Sequence, residues 1–291
     1  YVPAAAKAKT ILANGYGMKI TAASKPSNAI KVAPSRIAIW DTYGGSMPSG
    51  WIRYIMEQYK FDATVIYPQD IDKGNLKDKY DVIVFVGGSI PAYNPNATEV
   101  GNRGGFGTPA LETIPEEYRA RVGRISQDKS IPQLKSFLEA GGKIVTIGSA
   151  TNLAAHLDLP VRNAMVEMVD GTEKRLPATK YYVPGSVLNV AVDQSIAANW
   201  GMEKTADIYF DNSPVFKLSP SNSGKIRPLA WFSTATPLRS GWAWGQSYLQ
   251  DGVAAFEADY GKGKLYAFGP EITFRSQTHG TFKWMFNQLY K

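Results

Sequence analysis

The stretch Gly141-Gly142-Lys143-Ile144-Val145-Thr146-Ile147-Gly148-Ser149-Ala150-Thr151-Asn152-Leu153-Ala154-Ala155 limits what this chain can fold into more than any other. Ile144 to Ile147 is a short β-branched apolar run beginning just after a Gly-Gly helix stop. A continuous run of that kind predicts a strand covered on both faces, as in a parallel sheet. It breaks at Gly148-Ser149, and helical spacing follows through Leu153, Ala154 and Leu157. Strand, tight polar turn and helix together hold one side chain above the C-terminal edge of a sheet, where doubly wound folds line their ligand crevice. Ser149 sits at that point.

Further runs predict the same sheet. Arg36 to Asp41 reads as a buried strand entering the turn Tyr43-Gly44-Gly45-Ser46. A helix follows, with Trp51, Ile52, Ile55, Met56 and Tyr59 at helical spacing and Ser49 as its expected N-cap. Ala63 to Tyr67 and Asp81 to Val86 give two more strands, the latter closing on Gly87-Gly88. The order implies parallel pairing through right-handed crossovers. Helices are expected over Glu116 to Arg124, Ser130 to Ala140 and Thr281 to Tyr290. The last should bury Phe282, Met285, Phe286 and Leu289.

The remaining segments are less regular. Residues 1–35, broken by Pro3, Pro26 and Pro34, read as a linker or arm, with a weak helix over Val2 to Leu12 and a short strand over Met18 to Thr21. Residues 36–291 are expected to form one α/β domain that includes a β-rich section at about 180–250. Ser89 to Pro109 is a long loop containing Gly101, Gly104, Gly105 and Gly107; neither a dinucleotide fingerprint nor a Walker A motif occurs in it. Asn96-Ala97-Thr98 is a formal glycosylation triplet. From about 180 to 250 short β runs predict an antiparallel section, either a sheet extension or an insertion: Ser186 to Val192, Ala206 to Phe210, Val215 to Leu218 and Leu229 to Phe232. A hairpin, Val253 to Ala258 with Lys264 to Phe268, turns at Tyr260-Gly261-Lys262-Gly263.

Composition narrows the chemistry. There is no cysteine, so disulfides, thiolate zinc sites and a Cys nucleophile are excluded. The net charge of +7 is spread along the chain without a basic cluster, which argues against a nucleic-acid partner. No apolar run reaches the ~20 residues of a membrane span. The chain opens on Tyr1 without the charged-then-apolar start of a signal peptide, and is expected to be a piece of something longer. His156 and His279 are the two histidines. His156 leads into Leu157-Asp158-Leu159, so neither a His-x-x-Glu nor a His-Glu-x-x-His zinc motif is present and no metal or cofactor is expected in this chain.

A hydrolase triad would join Ser149 to His279 and to Glu271 or Asp41. Ser149 lacks the second glycine of GxSxG, and its bland role is to cap the helix beginning at Ala150; the bland role of His279 is a cap or structural hydrogen bond. Trp231, Trp242 and Trp244 lie close in sequence, and the Trp242-Ala243-Trp244 alternation puts two indoles on one strand face. A sugar- or peptide-stacking platform is one reading. Burial in the β section is the expected one.

Three segments together are familiar: Gly50 to Tyr59, Pro184-Gly185-Ser186-Val187-Leu188, and Gln277-Thr278-His279-Gly280-Thr281-Phe282-Lys283. They resemble the C-terminal domain that follows the peptidase domain in secreted bacterial proteins similar to zinc carboxypeptidases, a domain similar in fold to class I glutamine amidotransferases. The resemblance covers about residues 36–291. It implies a flavodoxin-like three-layer α/β sandwich, a secreted or periplasmic location, and a peptidase domain of the same polypeptide as partner, with zinc held only there. Two positions depart from the amidotransferase pattern. The nucleophilic Cys is replaced by Ser149, or by Ala150 with a shift of one. The His-Pro-Glu is replaced by Gly269-Pro270-Glu271.

The resemblance therefore implies a non-catalytic accessory or substrate-presenting domain. A Ser-dependent hydrolase and a carbohydrate- or peptidoglycan-binding module are the alternatives. Gly44-Gly45-Ser46, Gly87-Gly88-Ser89 and Gly148-Ser149 each follow a predicted parallel strand and are expected to converge as a crevice for a small anion or carboxylate, such as a peptide or cell-wall fragment would offer.

Overall fold

The computed structural model describes residues 2, 8, 10, 21–27, 29, 31–95, 110–219 and 225–291. The chain divides into two units, Tyr1–Ala33 and Pro34–Lys291. In the first, residues 21–26 have no regular structure. The expected helix near Val2 to Leu12, the strand near Met18 to Thr21, the loop glycines 101–107 and the triplet at Asn96 lie wholly or mostly outside the described residues.

In the second unit the elements run β1 Ile37–Trp40, α1 Met47–Gln58, β2 Ala63–Ile66, α2 Pro68–Asp72, α3 Leu76–Lys79, β3 Val82–Phe85, α4 Glu116–Arg119, α5 Ser130–Glu139, β4 Lys143–Ile147 and α6 Leu153–His156. Then come β5 Val161–Asn163, β6 Val166–Val169, β7 Thr172–Arg175, β8 Ser186–Val192, β9 Thr205–Phe210, β10 Phe216–Leu218, β11 Ile226–Trp231, β12 Leu238–Ser240, β13 Val253–Tyr260, β14 Gly263–Phe268 and α7 Phe282–Phe286.

The parallel strands lie in the order β2-β1-β3-β4-β14. Counting β14 as the fifth, this is the 2-1-3-4-5 order of the flavodoxin-like sheet. Their side chains explain it. β1 and β3 are buried at every position, so both faces of the sheet must be covered. Tyr59, at the end of α1, meets the Phe282 and Phe286 rings of α7 at 6.2 and 4.8 Å. On the other helical group, Ser130 at the start of α5 donates to Asp72 of α2 at 2.6 Å. The handedness of the crossovers puts these two groups on opposite faces.

The β-rich section is an extension of the same sheet. β13 pairs antiparallel with β14, and the sheet continues through β11 and β8 to β12, with β9 also on β8 and β10 bridging β13 to β5. β8 alternates buried and half-buried, the signature of a strand with one well-covered face. The result is an α/β domain with one mixed central sheet. Asn199 ties this half to the C-terminal helix: it accepts the Trp284 indole N–H at 2.8 Å and donates to the Asp193 and Leu229 carbonyls at 2.8 and 2.9 Å.

Several local expectations are corrected. Ser49 is not a cap; it is buried inside α1 and donates to the Trp40 carbonyl at 2.7 Å. The helix expected to Arg124 ends at Arg119, and the last helix is one turn and a half, ending at Phe286, which is only half-buried. The ribbon β6–β7 is an addition: β7 is Thr-Glu-Lys-Arg, exposed at all four positions, with no apolar signal to read. Trp242 and Trp244 are 54% and 53% exposed, against the expectation of burial, while Trp231 is half-buried against the core. Ala243 between them takes the inward position.

Candidate ligand crevice at the strand ends

Register fixes where the turns lie. Phe85 pairs with Thr146 and Phe268 with Ile147, so the chain leaves β3, β4 and β14 at one level of the sheet. β1 pairs Ile39 with Val84 and ends beside them. The turns that follow therefore share the C-terminal edge: 41–46, 86–89, 148–152 and 269–273.

Three of these four turns meet. Gly88 donates its backbone N–H to Ser149 Oγ at 2.8 Å. Glu271, arriving from β14, reaches across so that a Cβ on Gly148 would lie 2.6 Å from its Oε1, and one on Gly87 3.3 Å away. Gly148 also has φ +61°, so both its conformation and the room it leaves for the carboxyl require glycine. Ser149 and Gly88 are exposed, and Gly87 and Glu271 are half-buried. Ser149 is thus not the cap of the following helix. It lies within a 3-10 turn, Gly148–Asn152, and Thr151 makes the local bond instead, donating to the Gly148 carbonyl at 2.7 Å.

The carboxyl of Glu271 is unusual. Its Oε2 is buried and has no hydrogen-bond partner among the described residues. Burial, and secondarily the charge of Asp211, push its pKa up to about 7. Near neutrality it is therefore partly protonated, and able to donate a hydrogen bond as well as accept one.

Other predicted members behave differently. The turn at Gly44-Gly45-Ser46 shares the edge but closes on itself: Asp41 accepts the N–H groups of Thr42 and Ser46, each at 2.8 Å. Gly44 and Gly45 serve φ values of +86° and +81°, and a Cβ on either would meet open space. Ser89 is buried and spends its hydroxyl on the Val86 carbonyl at 2.6 Å, so it offers nothing to the crevice. Asp41 is 3.8 Å from Arg53 and takes no part in a triad.

Neither histidine serves Ser149. The His279 ring is exposed and packs on Phe282 with centroids 4.9 Å apart. His156 is buried, with Nε2 2.9 Å from the Pro91 carbonyl, and burial pushes its pKa down. Among the described residues, no three His, Cys, Asp or Glu side chains gather as a metal site, and no helix is long and apolar enough to cross a membrane.

Three residues near Glu271 had no sequence signal of their own. Tyr209 stacks on Phe274 at 3.7 Å and 11°, and Phe274 in turn meets Trp51 edge-on at 5.1 Å. Burial first, then the charges of Asp211 and Glu271, push the Tyr209 phenol up, while Arg275 opposes them. Arg275 holds φ +49° and Ser276 φ +54°, a left-handed pair that turns the exposed guanidinium over the Phe274 ring at 5.2 Å. Proximity to Glu271 in the chain was the one available pointer to Arg275.

No family model matches this sequence, and no curated protein matches it. Solved structures with similar backbones include a β-galactosidase from Bacillus circulans sp. alkalophilus, at 9% identity and TM-score 0.48, covering 88% of this chain and 30% of that one. A ThuA-like protein from Bacteroides uniformis is 10% identical with TM-score 0.47, covering 91% of this chain and 93% of that one. A GMP synthase-type protein from Thermoplasma acidophilum is 14% identical with TM-score 0.48, covering 88% and 92%. The chain thus spans less than a third of the β-galactosidase.

Proposed function

We propose that this chain is a binding domain without catalysis of its own, which holds a small carboxylate or peptide end in the crevice between Gly87-Gly88, Gly148-Ser149 and Glu271. The observation that carries this is the setting of Ser149. Its Oγ accepts the Gly88 N–H, and both histidines of the chain are engaged elsewhere. A serine hydroxyl without an adjacent base is a weak nucleophile but a serviceable hydrogen-bond partner. A neutral Glu271 can donate to a ligand oxygen.

The wider reading rests on the sequence resemblance. In it the domain is an accessory, substrate-presenting part of a secreted or periplasmic zinc carboxypeptidase-like protein, with the peptidase domain of the same polypeptide as its partner. A crevice suited to carboxylates supports it, since such a peptidase acts at peptide C-termini.

One observation favours a second reading. Glu271 is a carboxyl with a raised pKa beside a serine-bearing turn, and a serine-glutamate hydrolase would use it as the base. A fluorophosphonate probe separates the two. The binding reading expects no adduct in the intact mass; an adduct on Ser149 that vanishes in Ser149→Ala would make the domain a hydrolase.

A further inference from the structure

A second site lies in the β-rich half. Trp242, Trp244, Tyr182 and Tyr248 stand 54%, 53%, 40% and 47% exposed. The backbone that carries the indoles is nevertheless clamped. Ser186 Oγ donates to the Trp242 carbonyl at 2.6 Å and accepts its N–H at 2.9 Å. Trp244 exchanges both main-chain hydrogen bonds with Tyr182, at 3.1 and 3.0 Å, and its indole N–H donates to the Thr179 carbonyl at 2.8 Å. Gly241 and Gly245 bracket the pair at φ +96° and +68°. A Cβ on Gly245 would lie 2.0 Å from the Lys180 carbonyl oxygen, so the two segments touch backbone to backbone. Exposed indoles forfeit burial, and a fixed backbone lowers the entropy lost when something stacks on them.

An adjoining cavity provides an independent observation. It has a volume of about 250 Å³, and its walls include Asn163, Arg175, Tyr181, Asn212, Ser213 and the same Tyr182. Tyr181 is 9% exposed, yet its hydroxyl is buried with no hydrogen-bond partner among the described residues. An unpaired hydroxyl on a wall residue is a donor that a polar occupant can satisfy when the wall relaxes around it. The Tyr182 ring meets Trp242 edge-on at 5.9 Å, which joins the cavity to the indoles.

We infer that the cavity and the indoles form one oligosaccharide-binding site, with one sugar ring beside Tyr181 and the next stacked on Trp242. Sugars present an apolar C–H face to an aromatic ring and hydroxyls at their edges, which is the pattern offered here. The cavity wall supplies amides, hydroxyls and one guanidinium, and no carboxylate. That set matches sugar hydroxyls and tolerates the acid group of a uronic sugar. An extended peptide would also cover indoles, and the tetrapeptide arm of the test separates it from a sugar.

The test is a fluorescence and calorimetric titration with the N-acetylglucosamine tetramer, the galacturonic acid tetramer and an uncharged tetrapeptide. At least one tetrasaccharide is expected to bind saturably and quench indole emission. Trp242→Ala should weaken it about tenfold, Trp242→Phe should restore part of that, and Tyr181→Phe should weaken it several-fold while leaving the melting temperature unchanged or higher. No saturation by either tetrasaccharide at about 10 mM, an affinity indifferent to Trp242→Ala, or binding of the tetrapeptide alone would overturn the inference.

Discussion

Gly88 and Ser149 lie 61 residues apart and are joined by a 2.8 Å hydrogen bond from the backbone N–H of one to the hydroxyl of the other. The bond crosses from the end of β3 to the end of β4 and fixes the floor of the crevice. It also settles the local role of Ser149, whose oxygen is committed to a backbone donor rather than to its own helix.

Gly148→Ala should destabilise the domain by about 1–3 kcal/mol, through the left-handed backbone and the displaced Glu271 carboxyl. Denaturant unfolding checks this. Because the added methyl pushes on Oε1, combining it with Glu271→Ala should cost less than the sum of the two single changes.

Glu271 makes stability depend on pH with a definite sign. Its folded-state pKa of about 7 exceeds the ordinary value of 4.5, so the unfolded chain releases the proton first as pH rises. The contribution is fully present below 4.5 and is lost by the time pH passes about 7. Glu271→Gln should therefore raise stability at pH 8, by up to about 3 kcal/mol, and change little at pH 4. Melting curves across pH 4 to 9 read this directly. A constant offset at all pH values would remove the argument for a buried, neutral carboxyl.

Much of the parallel core was legible in the sequence, because strands covered on both faces are written as unbroken apolar runs. Ile37 to Trp40 and Val82 to Phe85 are buried at every position and paired as their runs implied. The β-rich strands were legible in outline, and the β13–β14 hairpin from its turn, but the pairing of β14 with β4 and of β11 with β13 and β8 was not, since contacts so distant in the chain leave no local trace. Ser89 and Ser149 show where sequence stops: both follow a glycine at a strand end, yet one turns inward to Val86 and the other meets a distant N–H. Trp242 misled for a related reason. The bias of tryptophan towards burial says nothing of a segment whose small residue, Ala243, faces the core.

Asp81 anchors the opposite edge of the sheet. Its buried carboxylate takes the Arg36 guanidinium at 3.0 Å, Lys77 at 3.2 Å and Lys291 at 2.8 Å. The hydrogen bonds from Arg36 are the leading cause holding its pKa well below the usual carboxylate range. This stability is present above the ordinary value of 3.8 and is lost as pH falls below it. Asp81→Asn should cost about 3 kcal/mol at pH 7, with the gap to the parent narrowing in increasingly acid urea titrations.

Asn199→Ala should cost about 1–3 kcal/mol, because the buried Trp284 N–H loses its partner and the Leu229 carbonyl keeps only the Asp193 N–H. Near-ultraviolet circular dichroism should change with it, since Trp284 also stacks on Phe268 at 5.8 Å.

The most direct measurement is a calorimetric titration at pH 6 with an N-acetylated tripeptide bearing a free C-terminal carboxylate, run beside its C-terminal amide, with the peptide recovered and weighed by mass spectrometry. The account expects saturable heat with the free acid, a weaker response with the amide, loss of affinity in Ser149→Ala and Glu271→Ala, and peptide recovered intact. Cleaved peptide, or no heat with the free acid, would contradict it.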